Sequence, residues 1–531
     1  MKLESEEIFQ SGLRYTKELQ ITLDDDFNVP DSKPDIESVV KDWGNVYIDS
    51  VKVNDTSADV KGNLDFALLY SGKSSVPGEI TPVKMTGGIN FSETINLSED
   101  GKQGNVSCVA SIEDLTIKSI NSRKISVRAI VTLTMSCFGE EWKSFGCNVD
   151  AVPEDNVQVK EKKLSYTEMC VNLKDNLRVR QSLSLPQGKP NIGELLWEDL
   201  SVRNLNSRMT DEGLVITGDL TAFVMYQPDT EGQKVQWYEG GSAFEEKLDV
   251  SGSSQDVISF VKYHTVSCNV EPKANYDGEM RDLNMEMVLE LDVRGFLDKE
   301  KNILEDVYCP SRKVALNSED VELSRLVIRN NSRCKVASRI NVNDGSMLQI
   351  INCTGDAHID YINVEDDGIM VEGVLIANVM YVTSIDSSPI RSVQETIPFS
   401  HKITMNVGTE THNSLEISLE SISAVMTGSG EAEIKGTLSI DAICFEKQKV
   451  KAITDCQYED FNQEEYLSFP EIVCYIANGR DSLWTVARDN HTTVDIIRQE
   501  NKKLPEHCDY DYVVPAKEKL LILKAPVVAG D

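Results

Sequence analysis

Nowhere in the 531 residues do two cysteines stand as Cys-x-x-Cys, although the chain has twelve cysteines. Cys137 and Cys147 are near neighbours, but not at the spacing of a zinc finger. Scattered single cysteines suit a reducing cytosol and behave as small buried hydrophobes. The six histidines (His264, His358, His401, His412, His491 and His507) are equally scattered, with no His-x-x-x-His. No metal site is predicted. Gly-x-x-x-x-Gly-Lys-(Ser/Thr) and Gly-x-Ser-x-Gly are both missing, so neither a phosphate-cradling loop nor a nucleophile elbow is written into the chain. Asp24-Asp25-Asp26 lacks the spaced ligands and turn glycine of a calcium loop and is expected to be a solvated turn. The expectation is a protein that is not an enzyme and carries no cofactor.

Long apolar runs are missing too. No window approaches the ~18 residues of a membrane span. Met1 to Tyr15 is polar and charged, without the basic-then-apolar pattern of a secretory signal, so a cytoplasmic protein is expected. Positive charge is scarce: 53 Lys and Arg against 87 Asp and Glu give a net charge of −34 and a pI near 4.6. Such a field repels phosphate backbones and anionic lipid heads, which excludes nucleic-acid and membrane-surface roles. It suits solubility, or a negative surface offered to a basic protein.

What the chain has is repetition. Val29-Pro30-Asp31-Ser32-Lys33-Pro34-Asp35-Ile36 returns as Leu185-Pro186-Gln187-Gly188-Lys189-Pro190-Asn191-Ile192, an offset of 156. The same offset carries Val60-Lys61-Gly62-Asn63-Leu64 and Tyr70 onto Ile216-Thr217-Gly218-Asp219-Leu220 and Tyr226. An offset of 155 then reaches Val371-Glu372-Gly373-Val374-Leu375 and Tyr381. Phe91, Phe244 and Phe399 each stand four residues before an aliphatic residue: Ile95, Leu248 and Ile403. Each copy closes on a long alternating run before a phenylalanine: Ile125 to Phe138, Leu283 to Phe296, and Ala432 to Phe445. Period-two alternation over such lengths is a half-buried strand.

A glycine inside a strand marks a bulge or a close backbone approach, so Gly62, Gly218 and Gly373 are predicted to be structural. Tyr70, Tyr226 and Tyr381 are expected at equivalent buried or half-buried places. The prolines hold an extended turn. The apolar pairs after them, Val39-Val40 and Leu195-Leu196, suggest a short helical turn packed back on the sheet. The third copy has Asn341 and Val342 where the proline motif would fall, and reads as a diverged or capping module. Polar linkers are expected at Pro153 to Lys163, Pro310 to Asp320 and Cys456 to Phe469. The resulting organisation is mainly β: three tandem β-rich, sandwich-like modules at 1–152, 153–315 and 316–458, then a small unit at 469–526.

That last unit changes character. Ile472 to Ile476 alternates as a strand. Leu483, Val486 and Ala487 share one helical face. Thr492-Thr493-Val494-Asp495 opens a second helix like a capping box, which ends near Asn501. Val513-Val514-Pro515 and Leu520-Leu521-Ile522 are expected to close it as a second strand, giving β-α-α-β.

Tyr475, Asp481-Ser482-Leu483-Trp484, Thr492-Thr493-Val494, Ile497, Asn501 and Leu520-Leu521-Ile522 closely resemble a LysM domain. That family binds N-acetylglucosamine polymers through the loop before its first helix and the loop after its second. The resemblance places Arg480, Asp481, Ser482, Trp484, Asn501 and Lys517 at the binding loops. Arg480 and Lys517 stand where the family has glycines that let backbone approach a sugar ring, and Asn490 where it has an aromatic. A protein contact is expected there in place of a glycan. Trp484 is expected to be core.

Together with the Pro-x-x-Lys-Pro-(Asp/Asn)-Ile segments and the Gly-x-Leu strands, this layout resembles the SPOCS-LysM spore-coat proteins. The resemblance implies a mother-cell scaffold at the forespore surface that binds the ATPase of the coat basement layer and other coat proteins. Two other readings stay open: a peptidoglycan- or N-acetylglucosamine-binding envelope protein, and a LysM-bearing phage-like baseplate component.

Overall fold

The computed structural model describes residues 2–73, 80–97, 105–151, 156–230, 233–342, 346–365, 367–404, 411–428, 430–505 and 508–525. Six strands make the first module: β1 (Lys2–Asn28), β2 (Ile36–Val53), β3 (Ser57–Lys73), β4 (Ile80–Asn96), β5 (Asn105–Asn121) and β6 (Lys124–Asp150). The set recurs as β7 (Gln158–Ser184), β8 (Ile192–Thr210), β9 (Gly213–Pro228), β10 (Gln236–Leu248), β11 (Ile258–Ala274) and β12 (Met280–Tyr308). It recurs again as β13 (Arg312–Asn341), β14 (Met347–Glu365), β15 (Gly368–Thr383), β16 (Ile390–Thr404), β17 (Thr411–Gly428) and β18 (Glu431–Asp460). Each set forms two antiparallel three-stranded sheets, ordered β1-β6-β5 and β2-β3-β4 in the first module and likewise in the others. The inner faces of the two sheets enclose a core such as Val46, Val60, Leu64, Val131 and Leu133. The third module has the same strand order as the first two.

The repeated glycine is explained by both expected devices. Gly62, Gly218 and Gly373 pair across their sheets with Phe91, Phe244 and Phe399, so one signature is the partner of the other. The phenyl ring lies over each glycine, where a side chain would otherwise stand. On the opposite edge the neighbouring strand is irregular, between Ile48 and Ser50, Arg203 and Asn206, and Ile359 and Tyr361. A Cβ on Gly62 or Gly373 would fall against a backbone carbonyl oxygen, of Tyr47 or His358, as well as against the ring. On Gly218 the nearest atoms are the Phe244 ring at 2.9 Å and the Arg203 carbonyl at 3.3 Å. Gly62→Val and Gly373→Val are therefore expected to lose about 1–3 kcal/mol, and Gly218→Val less, because a ring tip yields more readily than backbone. Chemical denaturation of the three variants checks the order; equal losses would contradict it.

The proline motif is a turn between the two sheets. Lys33 N–H donates to Pro30 O at 2.9 Å, and Lys189 N–H to Pro186 O at 3.0 Å. The Tyr70 and Tyr226 hydroxyls donate to Pro34 O and Pro190 O, each at 3.0 Å. Tyr70, Tyr226 and Tyr381 are all buried. An arginine clasps the turn from the start of the last strand: Arg123 donates to Lys33 O, Val29 O and Pro30 O, and Arg281 to Lys189 O and Pro186 O.

Several expectations are corrected. Val39-Val40 and Leu195-Leu196 lie in β2 and β8, not in a helical turn. The register shifts between Val39 and Lys41 and between Leu195 and Trp197, so Val40 and Leu196 are bulge residues. An extra residue in one strand puts two neighbouring apolar side chains to use without leaving the sheet. The expected linkers are largely strand: β7 begins at Gln158, β13 already at Arg312, and β18 runs to Asp460. Their charges are those of ribbon ends with one face in water. A short helix, α1 (Gln463–Ser468), follows where only linker was expected. Asp24 to Asp26 lie in β1, not in a turn, and Asp26 pairs with Lys124 at 2.7 Å. Residues 153–155 of the first expected linker, His507 and the side chain of Phe138 fall outside the described residues.

The three modules close into a ring. β1 pairs with β6 over nearly its whole length, whereas β5 covers only residues 124–138 of β6, leaving a two-stranded ribbon beyond the sandwich. The three ribbons pack on one another through Ile8 and Phe145, Leu164, Tyr166 and Ile303, and Val321, Leu323, Val450 and Ala452. The outer faces of the β2, β8 and β14 sheets also meet, through Val40, Leu69, Leu196, Trp197, Phe223, Met225, Ile351 and Met380. At that meeting point Lys41, Trp197 and Asn352 occupy equivalent positions just after the bulge. Lys41 is 5 % exposed. Its ammonium donates to Asp199 at 2.7 Å and to Thr354 at 3.3 Å and lies 5.5 Å from the Trp197 ring.

Candidate functional site

The residues singled out by sequence gather at the C-terminal unit: β19 (Ile472–Ile476), α2 (Leu483–Asp489), α3 (Val494–Glu500) and β20 (Lys519–Leu523). β19 and β20 pair antiparallel, Cys474 opposite Leu521. Leu483, Val486, Ala487, Val494 and Ile497 from the helices pack on Leu520 and Ile522 from the sheet. Val513 is not part of the second strand; it bridges to Ser482 and ties the two loops together.

Ser482 is the N-cap of α2 and accepts from Thr485 N–H at 3.2 Å, which satisfies one orphan donor of the first turn. Asp481 accepts from the Tyr475 hydroxyl and from Asn478 Nδ2, each at 2.6 Å. That carboxylate pushes the Tyr475 phenol up to about 12. Asn501 caps α3 and holds β20: its amide donates to Leu521 O at 2.7 Å and accepts from Leu521 N–H at 2.8 Å. Asp481, Ser482 and Asn501 are thus occupied in holding the loops.

Arg480 and Lys517 are the exposed members. They stand in loops that touch, since a Cβ on Gly479 would lie 3.0 Å from Ala516 Cβ. Lys517 N–H donates to Ala477 O at 2.8 Å, closing the second loop onto the first. Lys517 has φ +73°, left-handed backbone that glycine adopts without strain. Lys517→Gly is accordingly expected to raise stability by up to about 1 kcal/mol, by removing that strain. A thermal melt checks it, and a lower melting temperature would contradict it. Beside these cations the outer face of the sheet exposes Ile472, Ile476 and Leu521. Cationic loops bordering an apolar strip suit a protein surface carrying carboxylates.

Trp484 lies elsewhere. It is 3 % exposed, and its indole N–H donates to Asp306 of the second module at 2.8 Å. It is core, as expected, but core shared with the second module. Sequence reading also missed Lys41, Asp199, Arg123 and Arg281. Arg123 stands just before β6 and Arg281 is the second residue of β12, a position visible in the chain but displaced by two residues from the 156 offset.

The family model described as SipL, SPOCS domain, matches residues 35–120, 191–273 and 346–427. Each match opens one residue before the strand that follows the proline turn, or its equivalent in the third module, and covers the β2-β3-β4 type sheet with all but the last residue of the fifth strand. No curated protein and no solved structure matches the chain.

Proposed function

We propose that this chain, a SipL-like protein with three SPOCS domains, is a non-enzymatic scaffold of spore-coat assembly in the mother cell. It binds the ATPase of the coat basement layer through its LysM-like C-terminal unit and helps localise coat at the forespore surface. The threefold SPOCS match carries the link to the spore coat. The choice of a protein partner is supported by Arg480 and Lys517, two exposed cations on adjoining loops of a chain with net charge −34. A hydrated cation gives a neutral sugar little but pairs well with a carboxylate.

The β-α-α-β arrangement favours a second reading, binding of peptidoglycan or another N-acetylglucosamine polymer, because it brings the two loops together. The tagged full-length chain is expected to capture the basement ATPase from a sporulating lysate and to leave purified peptidoglycan in solution. A fluorescent fusion is expected to ring the forespore. Diffuse fluorescence throughout sporulation would contradict the scaffold reading.

A further inference from the structure

The C-terminal unit does not complete its own core. Tyr308, the last residue of β12, is 5 % exposed and sits among Leu483, Trp484, Val486, Val494 and Ile497. Its ring meets Trp484 edge-on at 4.8 Å, and its hydroxyl donates to Thr492 O at 3.0 Å. Burial pushes the Tyr308 phenol up, so it stays a donor. Two residues earlier, Asp306 Oδ1 accepts from Val307 N–H at 2.9 Å, and Oδ2 accepts from Trp484 Nε1 and Arg488, each at 2.8 Å. Lys160, on the paired strand, bridges Glu305 at 2.9 Å and Asp511 at 2.5 Å.

The other ribbon tips show why the unit sits here. Every ribbon bulges at the same place, so Asn148, Asp306 and Asp455 are equivalent, and Asp150, Tyr308 and Gln457 two residues on. The third tip has the aspartate, with Oδ1 on Cys456 N–H at 2.9 Å just as Asp306 sits on Val307, but its Oδ2 is taken by Gln457 at 2.8 Å. The first tip has neither the aspartate nor the tyrosine. Only the second tip combines a carboxylate held by the bulge with an aromatic that fills a hole.

We infer that the tip of the second ribbon, through Asp306 and Tyr308, is an intramolecular docking site that completes the C-terminal unit and fixes its orientation on the ring. The unit is then an extension of the ring and not a tethered bead. Its α2 side faces the ring, while Arg480, Lys517 and the outer sheet face point to solvent. Burying one charge-assisted hydrogen-bond set and one aromatic pair is the pattern of a centred contact rather than of a sliding one.

The test is amide hydrogen exchange on the full chain, with no partner present, so it is independent of what the unit binds. Asp306→Asn and Tyr308→Ala are each expected to speed exchange across Leu483 to Glu500 tenfold or more, with the strands of the first and third modules unchanged. Asn148→Ala, at the equivalent place on the first tip, is expected to change nothing. Unchanged protection of Leu483 to Glu500 in both tip variants would overturn the inference. Should Tyr308→Ala also loosen the ring, Asp306→Asn combined with Trp484→Phe decides. The double variant is expected to accelerate exchange no more than the larger single one, and multiplied accelerations would overturn the inference.

Discussion

Lys41→Met is expected to lower the stability of the chain by about 3 kcal/mol or more at neutral pH, the range for removing one partner of a buried ion pair. Lys41 and Asp199 come from different modules and meet near the centre of the ring, with side chains 5 % and 16 % exposed. Methionine has nearly the same length and keeps the packing on Trp197. It leaves the Asp199 carboxylate with the Asn352 amide at 3.2 Å as its remaining described side-chain donor. Most of the loss comes from leaving an uncompensated charge in so little water; the lost contact with Thr354 is minor. Lys41→Met with Asp199→Leu is expected to recover most of the loss, because both desolvation costs then vanish. Equilibrium denaturation of the two variants checks this. A loss under about 1 kcal/mol for the single variant would show that the centre of the ring is wetter than its burial implies.

Arg480→Glu with Lys517→Glu is expected to weaken capture of the basement ATPase tenfold or more while the melting temperature of the chain stays within a few degrees. Both side chains are exposed and neither is an anchor of the loops; that work belongs to Asn478, Asp481 and Asn501. Reversing two charges turns attraction to a carboxylate-bearing surface into repulsion and slows encounter as well as weakening the complex. The effect should shrink at high salt, since exposed charges are screened. Titration of the purified variant against the ATPase at two salt concentrations reads it. Undiminished binding would move the partner surface away from these loops.

The modules were legible because the same physical problem is solved three times. A glycine under a phenylalanine ring recurs in every module, and the buried tyrosine follows that glycine by eight residues each time. The C-terminal β-α-α-β was legible for a different reason: helix caps and periodicity are local. The ring was not legible. Its central contacts sit at equivalent positions with different residues, Lys41, Trp197 and Asn352, because a shared centre has to be filled once and not three times. A search for likeness passes over them. The bulges misled for a related reason: two adjacent apolar residues look helical until the extra residue in the strand is seen. The docking tip stayed hidden because Asp306 and Trp484 are 178 residues apart and each reads as ordinary alone.

Titrating the purified full-length chain against the basement ATPase and against peptidoglycan, in one buffer and over one concentration range, decides between a coat scaffold and a glycan binder. A scaffold is predicted to show saturable micromolar or tighter binding to the ATPase, lost in Arg480→Glu with Lys517→Glu, and no saturable binding to peptidoglycan. Saturable peptidoglycan binding that survives the double charge reversal, with no affinity for the ATPase, would contradict it.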